Sequence, residues 1–187
     1  MNYPYTYYYQ YPYCGNFPNH YHGNYALYRT DDHEIDYANR FGYPSYTNLG
    51  GSNLLTDYGP NPFVININKA TKQNSTYRTA LWTGSHFQVT LMSIGIGEDI
   101  GLEMHPNVDQ FLRIEQGQGI VKMGKRRDGL TFEKRVYDDS AIIIPAGTWH
   151  NLINTGNAPL KLYSIYAPPN HPFGTVHPTK ADAVEAE

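Results

Sequence analysis

The side chains best suited to chemistry in this chain are Glu103, His105, Gln110 and His150, carried by two stretches, Gly97 to Gly117 and Asp139 to Asn154. In an extended strand alternate side chains share a face, so Glu103 and His105 point one way while Leu102 and Met104 point the other. Residues Pro106 to Asp109 read as a four-residue turn, after which a returning strand brings Gln110 opposite His105. In the second stretch Pro145, Ala146 and Gly147 turn the chain, and His150, Leu152 and Asn154 share one face of the strand that follows. Two imidazole nitrogens, one carboxylate and one carboxamide oxygen form a borderline-to-hard donor set suited to Mn, Fe, Co, Ni or Zn. The amide oxygen is the weakest of these donors. A second reading therefore stands beside the first, with Glu103 and Gln110 as a hydrogen-bonded polar pair in a metal-free cavity.

These residues need a scaffold, and the texture from Asn61 onward is that of short alternating segments broken by Gly, Pro, Asn and Asp, as in an all-β sandwich or barrel. The expected strands are Phe63 to Asn68, Thr79 to Thr83, His86 to Ile94, Ile100 to His105, Gln110 to Glu115, Gly119 to Met123, Thr131 to Tyr137, Ala141 to Ile144, Thr148 to Asn154 and Leu160 to Tyr166. From Asn61 onward helix is expected only at the C-terminal end, where Thr179 can cap a run of good helix formers.

The spacing of the two chemical stretches resembles the paired motifs of the cupin superfamily, G-x5-H-x-H-x4-E-x6-G and G-x5-P-x-G-x2-H-x3-N. In the first, Gly97, His105 and Gly117 match, Glu103 stands where the family usually has its first histidine, and Gln110 stands where it usually has glutamate. In the second, Pro145, Gly147, His150 and Asn154 match, and Asp139 replaces the opening glycine. The resemblance implies an antiparallel jelly-roll barrel with a metal at its mouth. It implies a homodimer and a small-molecule substrate or ligand, and the family's isomerases, dioxygenases and decarboxylases leave the reaction open.

Other candidates carry less. Arg113 shares a face with Phe111 and Glu115, away from Gln110, and reads as a surface ion-pair residue. His86 and Gln88 share a strand face near the expected barrel mouth. Trp149 faces away from His150. The run Lys125, Arg126, Arg127 reads as a solvated turn, and His171 and His177 lie among prolines after the last strand, either as a lid over the cavity or as plain surface.

The chain divides by composition. Of its 18 tyrosines, 14 lie in residues 1–60, which also hold two Arg, no Lys and five acidic residues, so the whole net charge of -3 sits there. With few aliphatic residues to offset roughly 1 to 2 kcal/mol of backbone entropy per ordered residue, residues 1–60 are expected to be mostly disordered, with one short helix over Thr30 to Arg40. Residues 61–187 are expected to form the barrel. Such a Tyr-rich segment suits self-association, and in composition it resembles extensions of bacterial spore coat proteins. Higher assembly through it is one reading, and an idle, variable extension is the other. The lone Cys14 excludes an internal disulfide framework, and no basic stripe suggests a nucleic-acid partner. The first residues lack the pattern of a signal peptide, and no 18-residue apolar run exists to span a bilayer, so the expectation is a soluble protein made in the cytoplasm with no membrane partner. The Asn74-Ser75-Thr76 sequon is then read as chance.

Overall fold

The computed structural model describes residues 55–185. The expected helix at Thr30 to Arg40, and the Tyr-rich extension as far as residue 54, lie outside the described residues. The elements are helix α1 (Ile67–Gln73), strands β1 (Arg78–Thr83), β2 (Gln88–Ile94), β3 (Asp109–Gln116), β4 (Gln118–Gly124), β5 (Phe132–Tyr137), β6 (Ala141–Ile144), β7 (Trp149–Asn154), β8 (Leu160–Ala167) and β9 (Val176–His177), and helix α2 (Lys180–Glu185). Two antiparallel sheets face each other, one in the order β6-β3-β8-β2-β1-β9 and one in the order β5-β4-β7. This is the all-β jelly roll that the strand pattern leads one to expect. No helix among the described residues is long and apolar enough to cross a membrane.

Two expectations need correction. The run Phe63 to Asn68 is not a strand, because the edge of β1 away from β2 is occupied by β9, through Arg78 opposite His177 and Thr79 opposite Val176. Denied that edge, the segment turns into α1, whose Asn66 cap accepts from Lys69 N at 3.0 Å. Ile100 to His105 is not a continuous strand either. Gly101 adopts φ +86°, which L side chains rarely reach, and its N–H bonds to Asp99 Oδ1 at 3.0 Å, so pairing with β7 survives only as two isolated bridges, Asp99 to Ile153 and Glu103 to His150. Upstream of Asn61, residues 55–60 are among the described ones. Leu55, Tyr58 and Phe63 pack with Ile67 on a cluster around Ala70, Leu81 and Leu91, on the outer face of the larger sheet.

The main core lies between the sheets, where Leu112, Ile114, Leu152, Leu160 and Leu162 are essentially solvent-free. Burying each such side chain contributes about 1.5 to 3 kcal/mol. Register makes this interior a gradient. At one end Ile94 stands opposite Leu160, next come Met92, Leu162 and Ile114, then Thr90, Ser164 and Leu112, and at the other end Gln88, Tyr166 and Gln110. Asn154 locks the apolar end by donating to Ile94 O, Gly95 O and Ala158 O and accepting from Gly156 N. The polar end is the mouth.

At the C-terminus Thr179 caps α2 as expected, its N and Oγ1 both bonded to Asp182 Oδ2 at 2.8 and 2.6 Å. Lys180 in turn pairs with Asp99, and burial of that carboxylate is outweighed by Asn151 and Lys180, which hold its pKa below the usual range. The loop before Glu103 is thereby tied to both β7 and α2.

Candidate metal centre

His150 enters the mouth from β7, opposite Met123 of β4, and is 1% exposed. Glu103 reaches it from the irregular segment across two backbone hydrogen bonds, Glu103 N to His150 O at 3.1 Å and His150 N to Glu103 O at 2.9 Å. His105 is placed by the bond from Gly147 N to its carbonyl, 2.8 Å. Gly147 holds φ +71° in the Pro145 turn, and Ala146 N bonds to Asp109 Oδ1 at 2.8 Å, so the two motif turns brace each other. Asp139, where the resemblance expects glycine, takes φ +67°, the same left-handed region as Gly97, Gly117 and Gly147. Its carboxylate pairs with Arg113, which also lies 3.4 Å from Glu115, so Arg113 is the outer-face ion-pair residue anticipated.

One ligand atom from each of Glu103, His105 and His150 falls within 4.8 Å of the others, an arrangement that can hold a metal ion. Glu103 Oε1 is 3.1 Å from His150 Nε2 and 3.5 Å from His105 Nε2. The other nitrogen of His150, Nδ1, lies 2.9 Å from Thr148 O. A carbonyl only accepts, so Nδ1 carries a hydrogen and Nε2 is the ring atom that faces the carboxylate. A proton on Nε2 or a cation between the two atoms satisfies that contact. A ring nitrogen anchored to a backbone carbonyl is also the usual support for a metal-binding histidine. Burial resists ionisation of Glu103, but the His105 and His150 rings facing it prevail, and its pKa falls to about 2.

Gln110 is 2% exposed, and its Nε2 donates to Ser164 Oγ at 3.1 Å. That bond leaves Oε1 buried with no hydrogen-bond partner among the described residues, and His105 Nε2 is in the same condition. Gln110 is registered beside Tyr166, whose ring lies edge-on to His105 at 5.7 Å between centroids. The orphaned oxygen of Gln110 and nitrogen of His105 both fit a cation at this point.

Sequence reasoning left several mouth residues unassigned. Tyr166 is 1% exposed and has His105 against it and, 5.0 Å away, His171. Gln88, read only as a residue near the mouth, is fully buried and holds the backbone of His171, whereas its neighbour His86 is exposed. Arg78 is the largest fully buried side chain among the described residues and shares a sheet face with Met92. The one available signal was the period-two placement of Gln88 on β2. Trp149 faces outward beneath the Arg127 guanidinium at 5.6 Å, and Arg126 pairs with Asp128 in the solvated turn expected there.

The description "Cupin domain" matches residues 90–166. A Bacillus subtilis (strain 168) protein, "Uncharacterized protein YrkC", is 83% identical over 134 residues, which is 72% of this chain and 72% of that one. A second relative, from Acanthamoeba polyphaga mimivirus, is 44% identical over 116 residues, 61% of this chain and 70% of its own. Among solved structures, BH2720 from Bacillus halodurans superposes with a TM-score of 0.69 at 68% identity, covering 70% of this chain and 98% of that one.

Proposed function

The chain belongs to the cupin superfamily, and from that premise we propose that Glu103, His105 and His150, with Gln110 as fourth donor, bind one divalent transition ion and that the barrel acts there on a small molecule. The observation that carries this reading is the cluster itself, in which one ligand atom from each of Glu103, His105 and His150 lies within 4.8 Å of the others, with His150 Nδ1 already committed to Thr148 O. Mn, Fe, Co, Ni and Zn all suit the donor set. A divalent ion held here supplies Lewis-acid polarisation of a ligand oxygen at its open positions.

The chain's own residues then do the positioning. Glu103, with its pKa near 2, stays anionic at neutral pH and offsets part of the ion's charge. Thr148 fixes the tautomer of His150, and Tyr166 confines the ring of His105. Chemistry of an isomerase or an oxygenase fits such a site. A sugar-phosphate substrate converted without added oxidant indicates the first, and oxygen consumption indicates the second.

A second reading is a barrel that binds its ligand without turnover. It is favoured by the membership of the cluster, in which Glu103 is the one carboxylate among the described residues, so moving a proton between carbons has no obvious second base. Metal content separates both readings from a metal-free cavity. Plasma mass spectrometry of the untagged full-length chain after incubation with each of the five metals is expected to find one ion per chain, and under a tenth of that in Glu103→Ala and His150→Ala. An empty wild-type protein under all five conditions overturns the proposal.

A further inference from the structure

Residues 168–175 form a strap that leaves β8 and returns as β9, and in the larger sheet β2 and β1 lie between those two strands. The strap therefore crosses the ends of β2 and β1 at the row Gln110, Tyr166, Gln88 and Thr83, the polar end of the barrel. Gln88 fixes where it crosses. Its fully buried side chain shares a strand face with Met92 and Ile94 of the core. Its Oε1 accepts from His171 N and its Nε2 donates to His171 O, each at 3.0 Å. An inward side chain thus holds the strap inward. The His171 ring lies edge-on to Tyr166 at 5.0 Å between centroids, and His105 of the cluster lies against the same Tyr166 ring at 5.7 Å.

Polar contacts, not a core, hold the strap down. Among the described residues neither apolar cluster includes any of residues 168–175, and Phe173 is 62% exposed. The far end is moored separately. Buried Asp57 accepts from Gly174 N at 3.0 Å and from Thr83 N at 2.9 Å, and Ala80 N donates to Thr175 O at 2.8 Å. Pro168, Pro169 and Pro172 each fix their own φ, so freedom concentrates at Gly174, which takes φ +74° with open space where a Cβ would stand. Two bonds to one side chain make a latch, and the moored glycine makes a hinge. A segment with so few apolar contacts opens at a lower cost than the domain unfolds.

Behind the strap lies the wall of the candidate metal centre. Tyr166, Gln110 and His150 are 1 or 2% exposed, and the side chains of Glu103 and His105 keep 15 and 14% of their surface. Such an opening suits an ion, and a larger molecule needs a wider one. We propose that residues 168–175 are a lid, latched by Gln88 on His171 and hinged at Gly174, whose opening admits molecules larger than a bare ion to the Glu103–His105–His150 cluster. The inference rests on the metal reading above and adds a control on access to that same site. A gate speeds entry and exit alike, so loosening it changes rates and leaves equilibrium affinity alone.

The test mixes full-length protein loaded with cobalt(II) with imidazole or 4-methylimidazole in a stopped-flow spectrometer, the visible cobalt bands reporting arrival of the ligand. As concentration rises, both observed rates are expected to level off at one shared limit, the rate of lid opening. In Gln88→Leu that limit is expected to rise about tenfold or more, with both dissociation constants within about twofold of wild type. His171→Ala keeps the backbone atoms that Gln88 holds but loses the ring on Tyr166; it is expected to raise the limit as well, and it stands in if Gln88→Leu does not fold. Amide hydrogen exchange, which needs no metal, is expected to be insensitive to sub-denaturing urea across residues 170–175 and to accelerate with urea in β4 and β7. The inference is overturned by wild-type rates that climb without limit, by limits that differ between the two ligands, or by cobalt bands that neither ligand perturbs. Limits unmoved in the folded variants, affinities that move with the rates, or exchange across 170–175 that tracks global unfolding overturn it equally. Failure of cobalt to bind is instead a failure of the metal reading, and the exchange measurement then decides whether the lid opens.

Discussion

Glu103 and His150 are joined twice, by a reciprocal pair of backbone hydrogen bonds at 3.1 and 2.9 Å and by a side-chain contact at 3.1 Å between Oε1 and Nε2. The backbone pair holds the carboxylate and the imidazole together whether or not an ion is present. The donors are therefore preorganised, and the entropy of gathering them is met by folding rather than by metal binding.

Preorganisation makes metal a stabiliser of the native state. At an ion concentration a hundred times its Kd, linkage adds about 2.7 kcal/mol. For a domain of this size that raises Tm by several degrees, roughly 2 to 4 °C per kcal/mol. Thermal melts with and without the metal, and with a chelator to reverse the shift, check this; Glu103→Ala is expected to show no shift.

Gln110 tests whether the fourth donor matters. Gln110→Glu restores a charged oxygen and is expected to tighten metal binding about tenfold or more. Gln110→Leu removes the oxygen and the bond to Ser164 and is expected to weaken metal binding while the far-ultraviolet spectrum is unchanged. Competition titrations with a chelating dye read both. Equal affinities in the three proteins remove Gln110 from the site.

His171 predicts an acid sensitivity. Its pKa is lowered from 6.5 to about 3 in the folded protein, chiefly by burial. Above pH 6.5 the ring is neutral in both states and contributes nothing to pH dependence. Below it the unfolded chain takes up a proton that the folded one refuses, so stability falls with pH down to about 3, by at most roughly 1.4 kcal/mol per pH unit. Urea unfolding between pH 6.5 and 4.5 is expected to show a shallower slope in His171→Gln than in the wild type.

The clamp on the strap is also measurable. Gln88→Leu leaves His171 N and O without their partner, while the Thr83 hydroxyl keeps its bond to Asp57 Oδ2 at 2.6 Å. The expected loss is about 2 to 3 kcal/mol, with faster amide hydrogen exchange across residues 170–175 and little change in β4 and β7.

In the core, Leu152 is 1% exposed one turn of the strand pleat beneath His150. Leu152→Ala is expected to cost about 2 to 5 kcal/mol by chemical denaturation. Because the cavity opens directly below a donor, metal affinity is expected to drop as well.

The sequence by itself determined the parts that depend on short-range periodicity. Alternation along β2, β3, β7 and β8 and the turn residues between them suffice for an antiparallel barrel, and the motif spacing suffices to bring Glu103, His105 and His150 to one end of it. Local rules failed where a distant partner set the outcome. Phe63 to Asn68 alternates like a strand, yet it is helical from Ile67 because β9, two residues long and far along the chain, occupies the edge it would need. Gly101 broke the strand that was to present Glu103, and the bridge to His150 restored its aim. Only the tertiary structure placed Gln88, Tyr166 and His171 around the same mouth, since none belongs to a spaced motif. Their meeting is set by sheet register and by a side-chain clamp spanning β2 and the chain beyond β8, and hydrogen bonds over such separations leave no local trace in the order of residues.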